Sequence, residues 1–264
     1  MRIRSNGIEL NCVVEGKGPW VAMSHSLACD LHMWDEQAAL LSRNYTVLRF
    51  DTRGHGKSDA PAGAYSLEML ADDVKGLFDA LGVKSCHWVG LSMGGMIGQT
   101  FALRHPGVFK SMVLADTTSR YPAEAWTMWK SRIETAETKG MEPLVEGTLA
   151  RWFTAGFRAA HPEVCERIAA AIRATPVQGY AGCCHAIPKI NLTSRLKEIA
   201  LPSIVIVGEQ DAGTPVEMAR EMLAALPGSE LVIIPSAAHL SNLEQPEAFD
   251  RALTGFLAKH ANVS

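Results

Sequence analysis

The feature that most constrains this chain is a series of short, almost continuously apolar segments that alternate with helical patterns. The segments are residues 20–24, 45–50, 87–90, 111–115, 204–207 and 231–234. Apolar runs of this length are typical of strands covered on both faces, as in a parallel sheet. Their alternation with helices predicts a doubly wound, mostly parallel sheet of the α/β class.

Helical spacing is clearest in Leu67–Leu81, where apolar residues recur every three or four positions behind Ser66, a candidate N-cap. Residues 94–103, 216–226 and 247–259 are the other predicted helices. At the start of the chain, Asn6-Gly7 lies between two β-prone stretches, 2–5 and 8–15. Both residues tolerate a positive φ, so the pair predicts a hairpin with a type I′ turn.

The alternation stops between residues 117 and 196, where several helical segments occur with no convincing strand and with breaks at Pro143, Pro162, Pro176 and Pro188. This stretch carries ten Lys and Arg and seven Glu, a balance of +3, whereas the rest of the chain has a balance of −6. We interpret residues 117–196 as an inserted helical cap, and 1–116 with 197–264 as the core that it covers.

Composition excludes several classes of function. The 264-residue chain has a formal net charge of −3, which lacks the positive field that nucleic-acid binding needs. It has no apolar run of membrane-spanning length and no signal-peptide pattern at Met1, so we expect a cytoplasmic protein with no membrane partner. The six cysteines should then be reduced, and adjacent Cys183 and Cys184 are assigned no chemistry beyond packing. Nothing in the sequence bears on oligomeric state.

A candidate nucleophile lies in Gly90-Leu91-Ser92-Met93-Gly94-Gly95, between a predicted strand and a predicted helix. A sharp strand-to-helix turn lifts the Ser92 hydroxyl off the carboxyl edge of the sheet, and it needs glycine on either side because side chains there would clash. The helix amino end adds free N–H groups beside the nucleophile. A serine with glycine two residues on either side is common in proteins. The prediction therefore depends on the position of this pattern between a strand and a helix. An ordinary Gly-rich turn is the alternative.

A serine nucleophile needs a base and an orienting acid, which in this kind of hydrolase follow in the order Ser, acid, His. His239 follows the last apolar strand and is the histidine after Ser92 that falls at the same sheet edge. Asp211, after the penultimate strand, is the favoured acid. Asp116 is a rival that fits a turn or helix cap better, and Glu209 is a weaker one.

An oxyanion hole requires two N–H donors, and we expect them to be the backbone groups of Met93 and Leu27. A side chain at position 26, next to the Leu27 donor, is tolerable only if Ser26 keeps a negative φ. The Gly-rich stretch 51–58 lacks the spacing of a phosphate-binding loop, so it is predicted to be structural, His55 included.

These residues resemble the α/β-hydrolase family and, more narrowly, its 3-oxoadipate enol-lactonases of aromatic catabolism. The similarity runs through nearly the whole chain and is carried by residues 26–35, 51–56, 90–96, 151–153, 179–184, 237–242 and 245–249. The segments in the predicted cap are the ones specific to the lactonases. Two departures are His25, where a small polar residue is expected, and Pro188-Lys189-Ile190-Asn191, which replaces an acidic stretch.

The resemblance implies acyl transfer to Ser92 with His239 as base, on a small-molecule lactone or ester and without metal or organic cofactor. The substrate of the lactonases carries a carboxylate, which an arginine fork holds best. Arg132 and Arg151 are therefore candidate ligands, and the tryptophans Trp126, Trp129 and Trp152 could wall the pocket. Taken singly, each arginine is more simply a surface charge and each tryptophan a packing residue.

Two other functions are compatible with the sequence. A carboxylesterase or another lactonase would keep the same three catalytic residues and differ only in the cap. A ligand receptor on the same scaffold would retain them yet turn over very slowly. Turnover compared with stoichiometric binding separates the receptor from the enzymes.

Overall fold

The central element of the computed structural model, which describes residues 1–261, is an eight-stranded sheet. The strands are β1 Arg2–Ser5, β2 Ile8–Gly16, β3 Trp20–Ser24, β4 Thr46–Phe50, β5 Cys86–Leu91, β6 Phe109–Ala115, β7 Ser203–Gly208 and β8 Glu230–Ile234. Their order across the sheet is β1-β2-β4-β3-β5-β6-β7-β8. The β1–β2 and β2–β4 pairs are antiparallel and the other five are parallel. The predicted α/β class is confirmed.

Eleven helices are described. They are α1 Asp35–Leu41, α2 Leu67–Leu81, α3 Met93–Arg104, α4 Ala125–Lys139, α5 Glu142–Trp152, α6 Ala155–Ala160, α7 Pro162–Ala174, α8 Val177–Ala186, α9 Val216–Ala225, α10 Ser241–Glu244 and α11 Pro246–His260. The α2 and α3 helices pack on each other, and α11 packs on β6, β7 and β8. Every residue of β5 and β7 is buried, as expected for strands covered on both faces.

Local signals in the sequence correspond closely to local structure. Asn6 and Gly7 have φ values of 45° and 82°, the double positive φ of the predicted type I′ turn. The α2 helix has the predicted bounds: the Ser66 hydroxyl accepts a hydrogen bond from the Met69 N–H at 3.1 Å, and Gly82 ends the helix with a φ of 70°.

The four prolines at which breaks were predicted lie at or beside helix boundaries. Pro143 and Pro162 lie in the first turns of α5 and α7, and Pro176 directly precedes α8, so they begin helices rather than interrupt them. The first turn has N–H groups with no partner inside the helix, so the N–H that proline lacks is not missed there. Pro188 lies in the 3₁₀ turn Ile187–Lys189 and begins no α-helix.

The helices α4 to α8 lie between β6 and β7 in the chain, where the insertion was expected. We call this group the cap helices, and the division of the chain into core and cap at residues 116 and 196 stays a prediction. All six cysteines are buried and free. Within residues 1–261, no helix combines the length and the apolar character that a membrane crossing requires.

Candidate active site

Ser92 occupies a strained turn between β5 and α3. Its φ and ψ are 55° and −116°, a conformation that non-glycine residues rarely adopt. The turn is held by the Ser92 N–H, which donates to the Ala115 carbonyl at 2.9 Å. A Cβ on Gly90 would lie 2.3 Å from the Gly94 carbonyl oxygen, so the glycine before the turn is sterically required. Strain of this kind is typical of an exposed nucleophile at a sheet edge.

His239 and Asp211 form a buried pair at the carboxyl ends of β8 and β7. The imidazole Nδ1 lies 2.8 Å from Asp211 Oδ2. The same carboxylate accepts hydrogen bonds from the Gly213 and Thr214 N–H groups and from the Thr214 hydroxyl, at 2.8, 3.0 and 2.7 Å. A carboxylate held in this way keeps the proton on Nδ1 and leaves Nε2 as the basic atom.

The electrostatics of the pair favour the charged carboxylate. Burial raises the pKa of Asp211, but the charge of His239 and the hydrogen bonds from His239 and Thr214 outweigh it and hold that pKa below its usual value. Burial lowers the pKa of His239, but the charge and hydrogen bond of Asp211 outweigh that effect, so the pKa of the imidazole is raised.

Ser92 and His239 line the same cavity. The hydrogen bonds of residues 1–261 include none between Ser92 Oγ and the imidazole. Such bonds are often long in an enzyme without substrate and shorten in the complex.

Asp116, the rival acid, lies in the bend after β6 with a φ of 44°, as expected for a turn residue, but it does not cap a helix. Its Oδ1 accepts the Gly208 N–H at 2.7 Å and its Oδ2 accepts the Ser241 hydroxyl at 2.6 Å, so it connects the ends of β6 and β7 to α10. Burial, followed by the nearby charge of Asp211, raises the pKa of Asp116 to about 8. The hydrogen bond to His239 is made by Asp211.

The loop after β3 presents one of the two expected oxyanion donors. Neither the Leu27 N–H nor the Met93 N–H donates a hydrogen bond to any residue of 1–261, so both are free for a ligand. Leu27 lines the cavity, whereas the Met93 side chain is fully buried. Positive φ falls on Ala28, at 57°, and not on Ser26, so the condition for a side chain at position 26 is met.

Two buried histidines fix this loop. His25 Nε2 accepts the Thr52 N–H at 2.9 Å, and its Nδ1 lies 2.7 Å from the Ser26 carbonyl oxygen. His55 Nε2 accepts the Ala28 N–H at 2.9 Å. Burial and the neighbouring His25 lower the pKa of His55 to about 3, so this ring is neutral and able to accept. The predicted structural role of His55 is therefore a specific one: it holds the loop that carries Leu27.

The cavity above Ser92 has a volume of about 110 Å³. Its wall comprises Ser26, Leu27, Ser92, Tyr121, Met128, Trp129, Arg132, Arg151, Trp152, Ile187, Ala212, Gly213 and His239. Both predicted arginines and two of the three predicted tryptophans, Trp129 and Trp152, are among them. Trp126 is not: it is exposed and packs near His185, with ring centroids 5.9 Å apart. The expectation that Trp126 walls the pocket was wrong, because it lies on the outer side of α4.

Arg132 and Arg151 bring two positive charges to this cavity without a carboxylate partner. Among the described residues, no Asp or Glu lies within ion-pair distance of either guanidinium. Arg132 stacks over Trp129, 4.6 Å from the ring centroid, and Arg151 donates to the Thr148 hydroxyl at 3.2 Å. Burial and the charge of Arg132 lower the pKa of Arg151. Two such groups side by side are a favourable environment for an anion.

Sequence reasoning missed Glu244, which links His239 to the cap helices. This buried carboxylate accepts the Ala238 N–H at 2.9 Å, and also the N–H and hydroxyl of Thr154, just after α5. The Leu240 N–H donates to the Trp152 carbonyl at 3.1 Å, and the Trp152 ring stacks on His239 with centroids 6.1 Å apart. The sequence shows only an acidic residue five positions after His239. The partners of this residue could not be predicted, because they depend on how the loop folds.

A family model described as the alpha/beta hydrolase fold matches residues 19–246. The chain belongs to the α/β-hydrolase family. Among characterised members, 3-oxoadipate enol-lactonase 2 of Acinetobacter baylyi is 33% identical over 97% of this chain and 96% of its own.

Solved structures of α/β hydrolases superpose closely on this one. The enol-lactonase from Burkholderia xenovorans LB400 has a TM-score of 0.94 and 37% identity, covering 98% of this chain and 100% of its own. A thermophilic esterase from Thermogutta terrifontis, solved with malate bound, has a TM-score of 0.95 and 31% identity, covering 99% and 100%. As an α/β hydrolase, the protein is a hydrolytic enzyme whose relatives act on small ester or lactone substrates.

Proposed function

We propose that this α/β hydrolase opens the ring of 3-oxoadipate enol-lactone through an acyl-enzyme, as a step of aromatic-compound catabolism. The observation that carries the proposal is the pair of arginines, Arg132 and Arg151, which line the cavity of Ser92 and His239 without a carboxylate partner. The lactone has a carbonyl carbon that Ser92 can attack and a carboxylate that Arg132 and Arg151 can bind, so both of its functional groups match residues of this cavity.

In the proposed mechanism, His239 Nε2 accepts the Ser92 proton while Ser92 Oγ attacks the lactone carbonyl. Asp211 orients the imidazole and stabilises its protonated form. The N–H groups of Leu27 and Met93 stabilise the tetrahedral oxyanion.

Collapse of that intermediate breaks the ring C–O bond, and the protonated His239 imidazole gives its proton to the departing oxygen, which becomes an enol that stays part of the acyl chain. An enolate is a better leaving group than an alkoxide. The enol then tautomerises to the ketone while the acyl group stays on Ser92. A water molecule, deprotonated by His239, attacks the ester, and the protonated imidazole returns a proton to Ser92.

The anion subsite is proposed to consist of Arg151, Arg132 and the Trp129 indole. The Trp129 Nε1–H is buried and has no partner in the part of the chain that the structure describes, so it is a third free donor on this wall. Support also comes from the Thermogutta esterase, whose structure holds malate, a carboxylate-bearing molecule. A guanidinium and an indole N–H would bind a substrate carboxylate by charge-assisted hydrogen bonds.

The test compares kcat/KM for 3-oxoadipate enol-lactone and for 4-nitrophenyl acetate, a neutral ester. We expect at least a hundredfold preference for the lactone, about 2.7 kcal/mol at the transition state. Arg151→Ala or Arg132→Ala should raise KM for the lactone about 10- to 100-fold, the effect of losing one charge-assisted hydrogen bond. Neither variant should change ester hydrolysis appreciably.

Two controls define the outcomes. Arg167→Ala removes the same charge from an exposed position on α7, away from the cavity, and should leave both substrates unaffected. Ser92→Ala should lose several orders of magnitude of activity on both substrates while keeping the fold. Substantial residual activity in Ser92→Ala would refute the nucleophile, and equal losses on both substrates in the arginine variants would refute the anion subsite.

The second candidate is a carboxylesterase with the same three catalytic residues. It is favoured by the 31% identity to the Thermogutta esterase over essentially the full length of both chains. Equal or higher kcat/KM for the neutral ester in the experiment above would support this candidate and exclude the lactonase.

A further inference from the structure

The Ser26 side chain is a buried hydroxyl that the mechanism above does not use. It has no exposed surface, and its Oγ has no hydrogen-bond partner among residues 1–261. Leaving a hydroxyl buried and unpaired is unfavourable, so native proteins rarely do so without a functional reason. Ser26 also lines the cavity of Ser92 and His239, next to the Leu27 donor.

The backbone at this position is fixed from two sides. The Ser26 carbonyl oxygen accepts the Cys29 N–H at 3.2 Å and lies 2.7 Å from His25 Nδ1. The next residues are held by His55, which accepts the Ala28 N–H. The backbone that carries this hydroxyl is therefore fixed before substrate arrives, which limits the reorganisation needed for electrostatic stabilisation.

We propose that the Ser26 hydroxyl is a third donor of the oxyanion hole, which donates its hydrogen bond to the substrate carbonyl oxygen beside the Leu27 and Met93 N–H groups. The inference rests on the proposed acyl-enzyme mechanism. An oxyanion can accept three hydrogen bonds, whereas the carbonyl oxygen of the bound substrate carries less charge. The third bond would therefore strengthen as the tetrahedral intermediate forms, and it would raise kcat more than it lowers KM.

The experiment measures kcat and KM of Ser26→Ala on both 3-oxoadipate enol-lactone and 4-nitrophenyl acetate. We expect kcat to fall about 10- to 100-fold, less than for a sole side-chain donor because two N–H donors remain. The loss should be the same on the anionic and the neutral substrate, because both form the same oxyanion. Removing an unpaired hydroxyl should leave Tm unchanged or raise it.

Ser24→Ala is the matched control. Ser24 lies two positions earlier, is also fully buried, and its Oγ also has no partner among the described residues, but it does not line the cavity. The same chemical change there should leave kcat and KM at the wild-type values. Ser92→Ala, assayed in parallel, tests the mechanism on which the proposal rests.

The outcomes are distinct. Unchanged kcat in Ser26→Ala, a loss confined to the lactone KM, or equal losses in Ser24→Ala and Ser26→Ala would each overturn the oxyanion assignment while leaving the Ser92 mechanism intact. Activity retained by Ser92→Ala would instead show that the proposed function itself is wrong. Equal kcat losses on both substrates, with an unaffected Ser24→Ala, support a catalytic Ser26.

Discussion

Two buried carboxyl groups act on His239, and their environments push their pKa values in opposite directions. Asp211 makes the hydrogen bond to the imidazole and has a lowered pKa. Asp116 is more completely removed from water, and its pKa is raised to about 8. Separation of this kind is what distinguishes a permanently charged orienting acid from a neighbour that is largely protonated at neutral pH.

The two carboxyl groups should therefore respond differently to the same substitution. Asp211→Asn should lower kcat about 10⁴-fold, the typical effect of losing the tautomer and the charge of the orienting acid. Asp116→Asn keeps the acceptor for the Gly208 N–H and should lose less than tenfold. Steady-state kinetics of both variants on one ester decides the matter, and the reverse ranking would assign the acid to Asp116.

The same pair predicts a shift in the pH profile. His239 must be neutral to accept a proton, and its pKa is raised, so kcat/KM of the wild type should fall as pH drops through a midpoint above 6.5. Asp116 is largely protonated around this midpoint, because its own pKa is raised to about 8, so it adds little charge there. Asp116→Asn should therefore leave the acidic midpoint nearly unchanged, and a shift of about one pH unit or more to lower pH would show that Asp116 is charged beside His239.

At this scale a residue's position was predictable wherever it follows from its place in a strand or turn. Ser92, Asp211 and His239 were predicted from the strand that each one follows, and the structure has them after β5, β7 and β8, while their catalytic roles stay a prediction. The bonding of Asp116 and Ser26 was not predictable, because it depends on residues such as Ser241 and Cys29 whose orientation no local pattern encodes. Trp126 was misplaced for a related reason: which positions of α4 face the pocket depends on how that helix packs, and the sequence alone does not show its packing.

At the scale of elements, the cap helices meet the core at a contact between two glycines. A Cβ on Gly179 of α8 would lie 2.1 Å from the Gly54 carbonyl oxygen, and a Cβ on Gly54 would lie 2.5 Å from the Gly179 Cα. The two backbones therefore touch directly. The loop 51–58, predicted to be structural, is thus the surface on which α8 rests.

This contact gives a prediction for α8. In Gly179→Ala the new methyl group has no space, so α8 or the loop must shift, with a loss of about 1–3 kcal/mol in the free energy of unfolding. Gly156→Ala in α6 is the control, because its Cβ would meet nothing within 4 Å, and alanine is the better helix former. Chemical denaturation should show a lower midpoint for Gly179→Ala only. Equal stability of the two variants would mean that the helices separate freely from the loop.

Element existence was predictable here, but element ends were less so. The predicted strand 87–90 extends by one residue at each end, to Cys86–Leu91, because pairing with β6 includes both of these residues. Pairing depends on the neighbouring strand, and a pattern in one segment contains no information about its neighbour. The proline positions illustrate the same limit, since proline ends one element and begins the next with equal ease.

At the scale of the whole molecule, the six cysteines are distributed through the interior. Each is buried, and burial raises the pKa of every thiol. A buried neutral thiol is unreactive, since the thiolate is the nucleophile. The sequence prediction of packing residues agrees with this environment, including for the adjacent Cys183 and Cys184.

We therefore expect the native protein to be inert toward Ellman's reagent and to release six equivalents of thionitrobenzoate after unfolding in guanidinium chloride. A reductant should not change Tm. Rapid reaction of one thiol in the native state would instead identify a local opening of the interior on the time scale of the assay.

The bonds of Glu244 have a consequence for recombination among relatives. Chimeras designed to exchange substrate preference would be cut at the predicted boundaries of the cap, near residues 116 and 196, so that residues 117–196 are transplanted alone. Thr154 would then be replaced by the corresponding residue of the other protein, while Glu244 would remain in this chain. Its buried carboxylate would face a new partner. We therefore expect a functional exchange to require residues 236–244 as well. The part of the protein that has to be exchanged together consists of two segments that are separate in the sequence.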